Sequence, residues 1–295
     1  MDRLLVVGSS GLLGQRLVDL AKNRYDVMGT YNKHPTEDTE SVHLDLAKKD
    51  DITELMQRFK PDIVIDAHHL PDVDYCETHH DEAWRVNVEY TKNLAEAAGM
   101  HSCKYVFISS DNVYDGKKTT QYCEKDKVHS INYYGKTKMM AEGVIDALDN
   151  DFLISRTGML FGPHNGKIVG KLPFPTWLVQ ELENNREVKV VADQYSNPTH
   201  TDSLSEFIFS LIEKDKKGVF NITGKENINR YDFATRIAEE FGLDKSLIRQ
   251  VTSTELNQIA PRPKKLDLDI SKVERATGLH GLRVEESIRM LKASL

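Results

Sequence analysis

Short apolar runs alternate with amphipathic stretches along the first half of the chain. The apolar runs predict strands over residues 4–7, 26–31, 42–46, 62–68, 104–108 and 152–156. Between them, the spacing of apolar positions predicts helices over residues 15–21, 51–59, 81–98 and 134–148. Strands that alternate with helices in this way indicate an α/β fold built on a doubly wound parallel sheet, the Rossmann architecture.

The second half shows a different pattern. Pro163, Gly166, Gly170, Pro173 and Pro175 predict a long loop. Further strands are predicted over residues 188–191 and 219–222, the latter returning to the sheet, with helices near 203–214, 230–241 and 284–293. We therefore predict a first domain over residues 1–160, with its sheet completed by parts of 188–222, and a smaller α/β region over residues 161–295.

Composition narrows the class of protein. The chain has 295 residues, 39% of them hydrophobic and 29% charged, and no apolar run reaches the roughly 18–20 residues that span a bilayer. The N-terminus enters a predicted strand at once, which leaves no room for a signal peptide. Three cysteines without a CxxC motif predict free thiols in a reducing cytoplasm. The net charge of -7 argues against nucleic-acid and anionic-membrane partners.

A glycine-rich loop follows the first predicted strand and precedes the first predicted helix. It reads Gly8-Ser9-Ser10-Gly11-Leu12-Leu13-Gly14. Glycines let the backbone approach a pyrophosphate, and the helix N-terminus stabilises its charge. The loop predicts a dinucleotide site formed by Gly8, Ser10, Gly11, Leu12, Leu13 and Gly14; a plain strand-to-helix turn is the alternative.

The end of the second predicted strand bears on cofactor choice. It carries Tyr31 and Lys33, and no carboxylate follows before Glu37. A carboxylate here would bind a ribose 2′-hydroxyl, whereas a lysine suits a 2′-phosphate. The sequence therefore favours NADP(H), with NAD(H) as the alternative cofactor and a solvated lysine as the alternative role of Lys33.

Other predicted strand ends complete this cofactor site. Ligands of such sheets lie beyond the carboxyl ends of the strands. The candidate contacts are Asp45 and Leu46 at the end of the third strand, and Ala67, His68 and His69 at the end of the fourth.

Residues 66–81 are rich in Asp, Glu, His and Cys. None of the recognised ligand spacings is present, and a segment that passes from strand to loop to helix spreads its side chains apart. We therefore predict no metal site here and assign these residues to loops and helix caps.

Tyr134 and Lys138 lie four residues apart on a predicted helix. This spacing puts both side chains on one face. A neighbouring ammonium favours the phenolate and lowers the pKa of the phenol, so the pair is suited to exchanging a proton with a carbonyl oxygen. A second such pair, Tyr114 and Lys118, spans an Asp-Gly turn and is not expected to be helical.

Polar groups at two other positions are candidates for substrate contacts. Ser110 and Asp111 follow the 104–108 strand, where a serine hydroxyl would donate to a substrate carbonyl; an ordinary turn is the alternative. Arg262 lies in a Pro-Arg-Pro loop within an acidic chain, so it is a candidate for a nucleotide diphosphate, with a solvated linker as the rival interpretation.

Taken together, these motifs resemble the extended short-chain dehydrogenase/reductases, and within them the dTDP-4-dehydrorhamnose reductase family. The similar segments are the glycine loop, the 62–67 strand, ISSDNVYDG over 108–116 (I-S-T-D-Y-V-F-D-G in the family), YGKTK over 134–138, RT at 156–157, the 193–199 segment and the 262–267 loop. The resemblance extends from end to end of the chain.

The resemblance implies an NADP(H)-binding Rossmann domain with a C-terminal region that closes over a nucleotide sugar. It assigns catalysis to Ser110, Tyr134 and Lys138, and a substrate contact to Asp111. The implied reaction is hydride transfer to C4 of a 4-keto-6-deoxy sugar, with Tyr134 as proton donor. Lys138 would hold the cofactor ribose as well as lower the pKa of Tyr134.

Two departures from the family pattern concern the sugar. Met159 stands where the family usually has a tryptophan against the sugar, so it becomes a candidate substrate contact, and Asn112 replaces a usual aromatic residue. Both leave the redox residues intact.

Two alternative functions remain open at this stage. The regulatory β subunit of methionine adenosyltransferase resembles the same family and keeps the Tyr/Lys pair while acting as a binding partner. Leu295 directly follows the last predicted helix, which would leave no tail for such a partner. Another nucleotide-sugar reductase or an epimerase is the second alternative. A homodimer is compatible with all three functions.

Overall fold

A computed structural model describes residues 1–35, 41–148, 150–164 and 171–294. Within these residues, seven strands form one parallel sheet in the order β11-β6-β5-β4-β1-β2-β3. The strand order reverses between β1 and β4, as in a doubly wound sheet. The predicted α/β Rossmann architecture is confirmed.

The strands of this sheet are β1 (Arg3–Val7), β2 (Asp26–Tyr31), β3 (Ser41–His43), β4 (Ile63–Asp66), β5 (Lys104–Ser110), β6 (Phe152–Thr157) and β11 (Gly218–Asn221). The shorter strands outside it are β7 (Leu160–Phe161), β8 (Val188–Val191), β9 (Tyr195–Ser196), β10 (Thr199–His200), β12 (Ile228–Asn229) and β13 (Ile248–Val251). The helices are α1 (Leu12–Ala21), α2 (Lys49–Phe59), α3 (Val73–Thr78), α4 (His80–Trp84), α5 (Tyr90–Met100), α6 (Tyr133–Ala147), α7 (Phe174–Glu183), α8 (Thr201–Glu213), α9 (Arg230–Phe241), α10 (Ser271–Thr277) and α11 (Val284–Ser294).

Helices cover both faces of the sheet. Helices α1, α8 and α10 bury residues such as Leu17, Phe207 and Val273 against one face. Helices α2, α5 and α6 bury Ile52, Leu94 and their neighbours against the other. Because both faces are covered, the central strands are buried, as in Ile63–Asp66, where all four residues are buried and the first three are apolar.

A smaller unit forms from the C-terminal half. Strands β8 and β13 pair in parallel, and their inward residues Val188 and Ile248 join a core with Leu178, Phe233 and Ile288. These last three residues belong to α7, α9 and α11.

Several predicted elements differ from the observed ones. The third strand ends at His43 rather than at residue 46, so Asp45 and Leu46 lie in the following turn. Strand β8 pairs with β13 instead of entering the large sheet, whereas β11 does pair with β6 there. A short apolar strand does not reveal its pairing partner, which only long-range packing determines.

Some helices also differ from the prediction. The sequence pattern does not predict helix α7, because Pro173 and Pro175 indicate a loop, although proline is favoured in the first turn of a helix. Helices α3 and α10 and strand β13 were also missed. The predicted helix over 81–98 is interrupted by a π-helical turn at Arg85–Glu89. Glu37, Gly166 and Gly170 lie outside the described residues. Among those described, no helix has the length and apolar character needed to cross a bilayer.

Candidate active site

The glycine loop packs directly on the end of β4. Gly8 has φ +84°, and a Cβ placed there would lie 2.9 Å from the backbone N and Cα of His68. Only glycine combines this left-handed backbone with such an approach. The loop therefore brings bare backbone to the carboxyl ends of β1 and β4, where the strand order reverses.

Helix α1 begins inside this loop, at Leu12, three residues earlier than predicted. Its N-cap is Gly11, and no side chain caps the helix. The first N–H groups of a helix have no intrahelical partner, so this terminus can accept an anion. Ser10 and Leu12 are half-buried beside it, while Leu13 and Gly14 are buried. A cradle of backbone next to a free helix N-terminus fits a dinucleotide pyrophosphate.

The residues predicted to bind the adenosine half surround the ends of β2 and β3. Tyr31 is half-buried, with its ring edge-on to His43 at 5.9 Å, and Lys33 is exposed. The Asp45 carboxylate accepts a hydrogen bond from the Ala47 backbone N–H at 3.0 Å, so it stabilises its own turn. Leu46 is buried.

The two residues that follow β4, Ala67 and His68, make different contacts. Ala67 is buried beneath Gly8. The His68 ring points away from the loop, since Nδ1 pairs with Asp66 and Nε2 contacts the Val86 carbonyl at 3.0 Å. His68 therefore offers backbone rather than its ring to a ligand at Gly8.

His69 is affected by the charge of Lys138. Its Nδ1 contacts the Ala67 carbonyl at 3.2 Å. Burial, together with the Lys138 charge, lowers the pKa of His69 to about 4. The ring is therefore neutral at physiological pH.

Tyr134 and Lys138 occupy one buried face of α6, as their spacing predicts. Asn132 caps the helix, accepting a hydrogen bond from Gly135 N at 2.8 Å. Tyr134 is 8% exposed and Lys138 is 1% exposed. By contrast, Tyr114 and Lys118 are in non-helical backbone, and Lys118 pairs with Asp126.

The pKa of Tyr134 moves opposite to the expectation. Burial raises it well above the ordinary value of a phenol, and only the hydrogen bond with Ser110 lowers it. The other contributing groups, Asp111 and Cys76, raise it further. Tyr134 is therefore a protonated phenol at neutral pH, which suits a proton donor. The expected lowering of this pKa by Lys138 is wrong for this structure, because burial raises the pKa and the Ser110 hydrogen bond, not Lys138, opposes that rise.

Ser110 and Asp111 meet Tyr134 from the end of β5. The Ser110 hydroxyl donates to Asp111 Oδ1 at 3.2 Å, and Asn112 Nδ2 donates to the same oxygen at 2.9 Å. Burial raises the pKa of Asp111 to about 6, against these hydrogen bonds and the charge of Arg230. A hydroxyl, a carboxyl and a phenol therefore converge at one point.

The two remaining predicted substrate residues lie on the C-terminal side. Met159 is half-buried with φ +29°, and its side chain packs on the core formed by α7 and α9. Arg262 pairs with Asp74 at 3.0 Å and donates to the Ala260 carbonyl at 3.0 Å. The Arg262 loop is therefore anchored on α3 rather than being a free linker.

Arg230 was missed in the sequence. It begins α9, and its guanidinium lies 5.1 Å from the Phe174 ring centroid. Burial and the nearby Arg262 lower its pKa to about 10, while Asp111 raises it. Within the described residues no ion pair includes Arg230. A half-buried cation next to a second cation favours an anionic ligand. No local motif marks Arg230, so only the fold reveals it.

The Asp, Glu, His and Cys side chains of residues 66–81 have different hydrogen-bond partners. Asp72 caps α3, as expected for a helix-capping residue, and Glu77 accepts a hydrogen bond from Tyr133 N. The described residues contain no group of three or more His, Cys, Asp or Glu side chains arranged to hold a metal ion.

Comparisons with known proteins agree with this geometry. A dTDP-4-dehydrorhamnose reductase from Aggregatibacter actinomycetemcomitans is 30% identical over 307 residues, with 99% of each chain covered. A crystal structure of dTDP-4-dehydrorhamnose reductase from Bacillus anthracis in complex with NADP matches with a TM-score of 0.90 and 25% identity, covering 100% of this chain and 99% of that one. The methionine adenosyltransferase 2 subunit beta of Rattus norvegicus is 30% identical over 294 residues, which cover 92% of this chain and 81% of the relative.

A family match covers nearly the whole sequence. The family described as the RmlD substrate binding domain matches residues 1–294. This range includes the glycine loop, the Tyr134–Lys138 pair and both arginines. The chain therefore belongs to the RmlD substrate binding domain family.

Proposed function

We propose that this protein is an NADPH-dependent reductase of a nucleotide-linked 4-keto-6-deoxy sugar, with dTDP-4-dehydrorhamnose as substrate. The observation that carries the proposal is the convergence of Ser110 and the buried Tyr134–Lys138 pair beside a glycine loop suited to a pyrophosphate. The reductases from A. actinomycetemcomitans and B. anthracis support the choice of substrate and cofactor.

The proposed cofactor site is assigned residue by residue. Gly8, Ser10, Gly11, Leu12, Leu13 and Gly14 would hold the pyrophosphate. Tyr31, Lys33, Asp45 and Leu46 would surround the adenosine half, and the backbone of 67–69 with Tyr134 and Lys138 would surround the nicotinamide half. Bound NADPH would supply the hydride. The NADP complex of the B. anthracis enzyme supports NADP(H) over NAD(H).

The chain's own residues would supply the rest of the chemistry. Ser110 would donate a hydrogen bond to the sugar carbonyl and orient it. Tyr134 would give its proton to the same oxygen as charge develops there. The Lys138 ammonium, buried on the same helix face as Tyr134, would bind the ribose hydroxyls.

The proposed sugar-nucleotide site lies between Asp111 and the two arginines. Asp111 would accept from a sugar hydroxyl, and Met159 would contact the sugar. Arg262 and Arg230 would bind the diphosphate, which supplies the ion-pair partner that Arg230 lacks among the described residues. Accordingly, we propose that residues 1–160 bind the cofactor and residues 161–295 mainly bind the substrate.

The regulatory function is the second candidate, since the rat β subunit is 30% identical to 92% of this chain. The Tyr134–Lys138 pair does not separate the two functions, because the β subunit keeps such a pair. The match to the A. actinomycetemcomitans reductase, which covers 99% of that relative against 81% of the rat β subunit, favours catalysis. An epimerase or a different keto-sugar reductase would use the same residues with another sugar.

We further propose a cytoplasmic location and a homodimer. The three free cysteines support the first. Trp84 of α4 and Met140 of α6, large apolar side chains that remain exposed on contacting helices, support the second. Sedimentation velocity at micromolar concentration tests the dimer, and a single monomeric species would contradict it.

The decisive experiment follows NADPH oxidation at the nicotinamide absorbance with a panel of nucleotide-linked 4-keto sugars. We expect turnover with the dTDP-linked 4-keto-6-deoxy sugar. Turnover with only a different sugar would contradict the proposed substrate and identify that sugar instead. NADPH binding without turnover on any sugar would favour the regulatory function.

A further inference from the structure

Asn112 makes side-chain contacts that tie two of the proposed catalytic segments together. It lies in a 3₁₀ turn, Asp111–Val113, directly after β5. Its Nδ2 donates to Asp111 Oδ1 at 2.9 Å, and its Oδ1 accepts from Asn132 Nδ2 at 2.9 Å. Because an ionised carboxylate only accepts, these partners fix which end of the Asn112 amide faces which neighbour.

Asn132 extends the connection to two more segments. It is fully buried, and its Oδ1 accepts from Gly135 N at 2.8 Å at the start of α6. The same Nδ2 that donates to Asn112 also donates to the Pro261 carbonyl at 3.1 Å, next to Arg262. Both Nδ2 protons are thus used, so Asn132 has no spare donor.

Backbone contact reinforces this pair of amides. A Cβ placed on Gly135 would lie 2.1 Å from the Asn112 carbonyl oxygen. The turn and the helix therefore touch without a side chain between them. Two amides connect the segment with Ser110 and Asp111, the helix with Tyr134 and the loop with Arg262.

We propose that Asn112 is a positioning residue that, through Asn132, aligns Ser110 and Asp111 with Tyr134. The proposal rests on the proposed reductase function for its catalytic consequence. Asn112 touches neither cofactor nor reacting atoms in this account. It acts through Asp111 and Ser110, whose hydroxyl also accepts from the Asn112 backbone N–H at 3.1 Å.

The charge at Asp111 provides an independent readout. Burial raises the pKa of Asp111 to about 6, and the Asn112 hydrogen bond opposes that rise. The other charged or titratable groups that face Asp111 are Tyr134 from α6 and Arg230 from α9. Removing the Asn112 donor should therefore raise the pKa of Asp111.

The test compares Asn112→Leu with Asn112→Asp and with the wild type. Leu removes the donor and the acceptor at similar volume; Asp keeps an acceptor for Asn132 but places a second carboxylate beside Asp111. Asn227→Leu is the matched control, since Asn227 donates to Asn197 Oδ1 at 3.2 Å in a separate amide pair. Two quantities are measured: the Asp111 titration by carboxyl ¹³C NMR, and kcat and KM for the 4-keto sugar against pH.

We expect Asn112→Leu to raise the Asp111 midpoint by about one pH unit, since each hydrogen bond to a carboxylate favours its charged form. We expect kcat to fall about 10- to 100-fold with the NADPH dissociation constant unchanged, as for a misalignment of about 1 Å. Asn112→Asp should also lower kcat. Asn227→Leu should change neither kcat nor the Asp111 titration midpoint.

An unchanged Asp111 titration midpoint in Asn112→Leu would overturn the proposal. A lower melting temperature with kcat and the Asp111 midpoint unchanged would also overturn it. The NMR titration needs no substrate. Absence of wild-type turnover would therefore reject the reductase function while the titration still decides whether Asn112 controls Asp111.

Discussion

The ammonium of Lys138 lies over the face of the Phe107 ring, with Nζ 4.1 Å from the ring centroid. Within the described part of the chain, no ion pair includes Lys138. Its charge is instead favoured at longer range by Asp66 and Glu142, while burial opposes it and lowers the pKa of Lys138 to about 8. The Lys138 ammonium is thus stabilised by an aromatic face and by carboxylates that have other partners.

This environment predicts an alkaline limit to activity. Lys138 carries its charge below a pKa of about 8 and loses it above, so kcat/KM should fall as pH rises through that value. Tyr134 does not set this limit, because burial raises its pKa well above the ordinary value. A pH profile of NADPH oxidation measures the midpoint.

Asp66→Asn should move that midpoint downward. Asp66 is the strongest of the charges that favour the ammonium, so its removal lowers the pKa of Lys138, by about half a unit to one unit. Asp62→Asn, at the opposite end of β4, is the control and should leave the midpoint near 8. If Asp66→Asn keeps the wild-type midpoint, Lys138 is not the group that titrates.

Lys33 is predicted to discriminate between the two dinucleotides. It is exposed at the end of β2, where a 2′-phosphate would lie. Lys33→Ala should raise the KM for NADPH about fivefold, the effect of an exposed ion pair worth about 1 kcal/mol, and leave the KM for NADH unchanged. Lys189→Ala, an exposed lysine on β8, serves as control. Equal changes in the KM values for NADPH and NADH would show that Lys33 is a solvated loop residue and does not contact the 2′-phosphate.

Arg156 is predicted to dominate local stability next to the site. It pairs with Glu142 at 2.6 Å, and both side chains are buried. Arg156→Met leaves a buried carboxylate without its partner, so the free energy of unfolding should drop by about 3–5 kcal/mol in urea titrations. Glu142→Leu combined with Arg156→Met should recover much of this loss.

The exposed pair Arg236–Glu285 provides the comparison for that measurement. Arg236→Met should cost less than about 1 kcal/mol. Strictly additive losses from Glu142→Leu and Arg156→Met would show that the buried pair does not act as a unit.

Local sequence patterns predicted the parts of the site that depend on short spacing. Tyr134 and Lys138 share a helix face because four residues make about one turn. The glycine loop is likewise contiguous in sequence. By contrast, Arg230 reaches Asp111 from an element more than a hundred residues away, and no local pattern reports such an approach.

The sequence patterns also do not predict the burial of Tyr134 or the direction of the His68 side chain. The pKa of Tyr134 rises because tertiary packing removes water from it, and the lowering that the Lys138 spacing predicts is not observed. The His68 ring contacts Asp66, the last residue of β4, and the Val86 carbonyl, although its position at the strand end predicted a ligand contact. Propensity and spacing carry no information on either outcome.

The most direct test of the central claim compares kcat for Tyr134→Phe with kcat for Tyr133→Phe on the dTDP-linked 4-keto sugar. Tyr133 is the adjacent residue, and its ring stacks on His80 instead of facing Ser110. If Tyr134 donates the proton, Tyr134→Phe should lose about 10²–10⁴-fold in kcat while it still binds NADPH, and Tyr133→Phe should stay near the wild-type value. Full turnover by Tyr134→Phe would contradict the assignment of Tyr134 as the proton donor.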